Sequence, residues 1–227
     1  MPYLIFFVVL LACIYLPQLW VASVLKKYHQ NREENFPGTG GELARHLLDK
    51  MGLPAVSVEI TEQGDHYDPV AKSVRLTRDK FEGKTLTSIT VAAHEVGHAM
   101  QDGLGQTMFR FRTHMARFAF VAQRLGSFLL FISPFLGLIS RAPSATLVTA
   151  LAAFLVMGSG LLVHFITLPV ELDASFNKAL PLLKTGYLEE SQYRPAERIL
   201  KAAALTYFAG ALAGLLNFWR WFQVLRR

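Results

Sequence analysis

Four apolar runs, at residues 3–25, 118–139, 145–168 and 201–225, are separated by two polar stretches and one short connection. Each run is about the ~20 residues that a helix needs to cross the hydrocarbon core of a bilayer. No basic residue precedes the first run, and it ends at "LKKYHQNR" without a small-residue cleavage pattern, so it reads as an anchor rather than a removed signal. Pro17, Pro134 and Pro169 lie in or beside the runs, as spanning helices tolerate. The polar stretches are too short to bury four such helices in a soluble core. The pattern therefore predicts a membrane α-helical protein with about four transmembrane helices.

The polar stretch 26–117 has patterns of its own. In "NFPGTGGELARHLLDKMGLP", Thr39 reads as a helix cap, Leu43, Leu47 and Leu48 form an apolar face, and Gly52 with Pro54 ends the helix. "VSVEITEQ" and "KSVRLT" alternate like half-buried strands, and "GDHYDP" between them reads as the turn of a β-hairpin. A second helix is expected from about Thr85 to Asp102, stopped by Gly103 and Gly105. The expected organisation is an anchor helix (1–25), a small α+β unit (26–117), two transmembrane helices (118–168), a helical segment (169–199), and a last transmembrane helix with a basic tail (200–227). Pro169 suits the first turn of a helix starting just after the third run.

Composition agrees with the pattern: 52% of residues are hydrophobic, and the mean hydropathy is +0.30. The net charge of +6 is informative by position. Residues 26–117 carry 13 Lys and Arg, and 169–199 carry Lys178, Lys184, Arg194 and Arg198. That excess places both stretches on the cytoplasmic side of a cell membrane, in a multi-pass arrangement. Arg220, Arg226 and Arg227 in the tail pull mildly the other way. No interleaving of basic and aromatic residues suggests nucleic acid. A single cysteine, Cys13, excludes an intrachain disulfide and a cysteine-rich zinc module.

The chemistry concentrates in "TVAAHEVGHAM". Residues four apart share a helix face, so His94 and His98 can reach one metal ion. Zinc accepts neutral imidazole and keeps an open position for water in catalytic sites. Glu95, next to His94, can sit beside that water as general base. Small neighbours (Ala92, Ala93, Gly97, Ala99) suit close helix packing. A third ligand has to come from elsewhere. The metzincin continuation is absent, since Gln101 and Leu104 occupy its positions. "LPVELDASFNKAL" offers Glu171 in an E-x-x-A setting, as in gluzincins. Asp173 is the rival, because "LDA" partly matches the L-D-G stretch of site-2-type intramembrane proteases. Glu171 is favoured, which leaves Asp173 to orient a ligand imidazole.

"DHYDP", "AAHEVGHAMQD", "TLPVELDAS" and "AALTY" together resemble the membrane zinc metallopeptidases of the YugP-like family, over nearly the whole chain. The α+β unit resembles the minimal zincin core. The resemblance implies a membrane metalloprotease with one catalytic Zn2+, His94 and His98 as ligands, Glu95 as base and a further ligand in "VELDAS". It also implies a strand edge beside the metal helix that holds a protein or peptide substrate extended. Where better-known gluzincins have Asp four residues after the liganding glutamate, this chain has Ser175. Partners are then a lipid bilayer and a protein or peptide substrate, membrane proteins included. A non-catalytic metal-binding scaffold is the competing class, and a free base such as Glu95 has no use there. His66 and Asp68 are candidates for the cleft or for a turn. Asp102 reads as a surface helix end or a support for His98, His164 as a bond between helices, and His29 and His114 as interfacial.

Overall fold

The computed structural model describes residue 12, residues 15–24 and 26–28, and residues 36–206. Helical residues 15–24 and 26–28 (α1) lead to α2, Gly40–Lys50. A reciprocal capping box starts α2: Glu42 N–H donates to Thr39 Oγ1 (3.2 Å), and Thr39 N–H donates to the Glu42 carboxylate (2.7 Å). Leu43, Leu47 and Leu48 are buried, and Gly52, at φ 72°, turns the chain out of the helix.

The strands β1 (Ser57–Ile60), β2 (His66–Asp68) and β3 (Ser73–Leu76) form one sheet in the order β1-β3-β2. The expected hairpin is corrected here. β1 pairs with β3 in parallel, Val58 opposite Val74, and "GDHYDP" supplies the third strand instead of a turn. The connection over 61–72 is long enough for the chain to return before β3 begins. The tight turn comes later. The Asp68 carboxylate accepts the N–H groups of Val70 and Ala71, and Lys72 takes φ 54°, which sets β2 antiparallel to β3.

After the short α3 (Arg78–Phe81), α4 runs over Leu86–Gly103, its Thr85 cap accepting the Ser88 N–H at 3.2 Å. This is the expected second helix. It packs against α2, β2, β3 and residues 173–179, so nearly all its length is buried.

α5 (Thr107–Ser140) and α6 (Pro143–Leu172) form a long helical hairpin around Arg141, which takes φ 52°. The two helices meet closely at its tip: a Cβ on Gly137 would fall 1.7 Å from Thr146 Oγ1. Among the described residues one helix, α5, is long and apolar enough to cross a membrane. Phe118, Phe128, Phe131, Leu138 and Ile139 along it are exposed. Most of the first run and of the fourth lie outside the described residues.

Pro169 does not start a helix. It lies inside α6, which continues through a π-helical segment (Asp173–Ala179) into α7 (Leu180–Lys184). Proline removes the N–H that would bond the Phe165 carbonyl, and the ladder resumes beyond it, where the Asp173 N–H reaches the carbonyls of Pro169 and Val170. No structural break therefore falls between 168 and 169. A last described helix, 190–206 (α8), buries Ala196, Ile199 and Leu200 in the same core as Leu47, Val74, Val96 and Leu183.

Candidate metal centre

α4 presents His94 and His98 on one face, and the end of α6 brings Glu171 across from them. All three are buried, Glu171 fully. One donor atom from each lies within 4.8 Å of the others. The close packing has a sequence cause inside the motif. A Cβ on Gly97 would meet the Ala174 carbonyl oxygen at 2.8 Å, so glycine lets the π-helical backbone lie directly on α4.

The hydrogen bonds around His98 fix where its ring proton is. The Gln101 amide nitrogen donates to the Val170 carbonyl (2.9 Å) and the Asp173 carboxylate (2.8 Å). Its oxygen therefore faces His98 Nδ1 at 2.9 Å, and that ring nitrogen must be the donor. In a neutral ring Nε2 then carries the lone pair. It points at Glu171 Oε2, 3.2 Å away. His94 Nε2 lies at the same distance from the same oxygen, while its Nδ1 meets Ser175 Oγ at 3.1 Å. A ring lone pair aimed at a buried carboxylate is repelled by it unless a cation sits between them.

A zinc ion fits that arrangement. Neighbouring ligand atoms in a tetrahedron of ~2.1 Å bonds are about 3.4 Å apart, close to the spacing seen here. Imidazole nitrogen and carboxylate oxygen are donors zinc takes, and three of them leave one position open. The other Glu171 oxygen accepts from Arg112 of α5 at 3.2 Å, which directs a single carboxylate oxygen toward the two rings.

Asp173 is engaged elsewhere. Its carboxylate accepts from Gln101, Lys178 and Asn177. Burial opposes its ionisation, but these donors outweigh that and hold its carboxyl down to about 2.

Glu95 is buried with no hydrogen bond to another described side chain, and it lines a cavity of about 240 Å³ together with His94, His98 and Glu171. Burial pushes its carboxyl up to about 7, against the pull of His94. His66 and Tyr67 of β2 form part of the cavity wall.

Residues 3–226 match the family described as "Putative neutral zinc metallopeptidase". The chain belongs to this family. It is 31% identical over 209 residues to a protein of Bacillus subtilis (strain 168) named "Putative membrane protease YugP", across 91% of this chain and 89% of that relative. No solved structure matches.

Within this zinc metallopeptidase family member, several contacts depart from the sequence reading. Asp102 accepts from Tyr67 and Lys72 instead of supporting His98, a task that falls to Gln101. Asp173 reaches His98 only through Gln101. Ser175 does contact a ligand-type histidine, His94. Asp68 closes a turn and pairs with Arg75, whereas His66 faces the cavity. His114 is exposed. His29 and the His164 side chain lie outside what the structure describes. Arg112 had no local signal, because its partner Glu171 lies on α6, whereas Gln101 stands three residues after His98 on the same helix, a spacing the sequence did contain.

Proposed function

We propose that the protein is a membrane-bound zinc endopeptidase in which His94, His98 and Glu171 hold the ion and Glu95 is the general base. One observation carries this reading: two buried ring nitrogens converge on one buried carboxylate oxygen, and the Glu95 carboxylate, with no hydrogen bond to another described side chain, faces the same cavity.

Bound there, zinc supplies Lewis acidity and lowers the pKa of a water toward ~7. Glu95 takes the proton of the attacking water and returns it to the leaving amine. Gln101 and Ser175 hold the two rings in orientation, and Arg112 balances the charge on Glu171. The metal-binding-scaffold alternative leaves the buried Glu95 without a purpose.

The runs 3–25, 118–139, 145–168 and 201–225 are read as four membrane spans, which puts 26–117 and 169–199 together on the cytoplasmic side. The apolar exposure of α5 and the charge excess in both polar stretches support this. The test is peptide hydrolysis by purified protein before and after chelation. Activity lost with the metal and restored by zinc supports the reading, and activity indifferent to chelation refutes it.

A further inference from the structure

The cavity lies against the bases of the apolar helices. Arg112, in its wall, precedes Phe118, the start of the apolar part of α5, by six positions, or about 9 Å at ~1.5 Å per residue. Glu171 follows Leu168, the end of the α6 run, by three positions, or about 4.5 Å. Ala203 and Thr206 of α8 add a wall where the fourth apolar run begins. Helices from three of the four runs therefore meet at the site. With those runs in a bilayer, the cavity sits within roughly 5–10 Å of the hydrocarbon edge, the depth of the lipid headgroups.

His66 and Tyr67 belong to β2, an edge strand of the described sheet, and both line the cavity, so a polypeptide laid extended along that edge reaches the site.

We infer that the substrates are membrane-anchored polypeptides, cut in an extended stretch just outside their own apolar span. This rests on the peptidase reading above. At ~3.3 Å per residue, a chain leaving the hydrocarbon reaches the site after about two or three residues. Cuts therefore fall close to the anchor and never within the helix that crosses the bilayer.

The experiment uses the full-length zinc-loaded protein in proteoliposomes. The probe is a mixed-sequence peptide library, either free or joined to an apolar helix of about 20 residues. The Gly/Ser spacers between library and helix are about 4, 12 or 25 residues, each spanning up to ~3.3 Å per residue. Mass spectrometry reads the cut positions and their rates. The expected result is cutting at the shortest spacer, at least tenfold faster than the free library at equal bulk concentration, with no cut inside the apolar helix. Equal rates for free and tethered libraries overturn the inference and leave the peptidase reading standing. So does cutting that begins only at the longer spacers, or cutting within the apolar helix. No cutting of either library overturns both.

Discussion

Gln101 holds His98 in one tautomer: its amide oxygen accepts from Nδ1 at 2.9 Å, while its amide nitrogen is committed to Val170 and Asp173. The glutamine cannot flip without facing acceptor to acceptor, so Nε2 of His98 stays available to a metal. Gln101→Leu keeps the bulk and removes the acceptor. Zinc affinity, measured by chelator competition, should fall by ~10–100-fold, as for other groups that orient a metal ligand. An unchanged affinity would show that packing alone fixes the ring.

Gly97→Ala sets two effects against each other. Alanine gains about 1 kcal/mol of helix propensity over glycine. The added methyl meets the Ala174 carbonyl at 2.8 Å, and a backbone atom cannot rotate away. Overpacking costs typically 1–3 kcal/mol, so a net loss of about 1 kcal/mol is expected. Thermal unfolding should show that loss. Zinc affinity should fall with it, because pushing the π-helical segment off α4 moves Glu171.

Glu171→Ala should weaken zinc binding by more than ~100-fold, and Asp173→Ala by less than the ~10–100-fold typical of a group bonded directly to a ligand. The difference follows from the contacts. Glu171 Oε2 faces both ring nitrogens, while Asp173 reaches the site only through Gln101. The reverse order, read by isothermal titration with zinc, would give Asp173 the metal and favour the site-2-type alternative.

Glu62, exposed in the loop after β1, reports the orientation of the α+β unit. With Cys13 replaced and Glu62→Cys introduced, an impermeant thiol reagent applied to intact cells should leave the new cysteine unlabelled. Labelling from outside would invert the topology and make the arginine tail the better guide.

Local signals made part of this molecule legible. The Thr39 cap, the α4 boundaries and the i,i+4 histidines all depend on neighbours in sequence, so the residues announce them. Glu171 was legible as a type of ligand in a type of setting. Strand pairing was not. Alternation says which face of a strand is buried, but β1 would show the same alternation whether parallel or antiparallel to β3. The helix through Pro169 also escaped, because its continuity comes from packing against α5 and α4 rather than from local preference. Arg112 and Ser175 act through bonds to residues 59 and 81 positions away in the chain, a separation that composition and periodicity do not register, and Gln101, though three residues from His98, is oriented by Val170, 69 positions away.

The most direct measurement of the central claim is zinc content and peptide hydrolysis in one preparation of Glu95→Gln. The amide keeps the shape of the carboxylate and cannot take a proton from water. The variant should hold about one zinc ion per chain, the occupancy expected of a single three-ligand catalytic site, and hydrolyse nothing. Hydrolysis at the unaltered rate would contradict Glu95 as base, and loss of the zinc would make it a ligand instead.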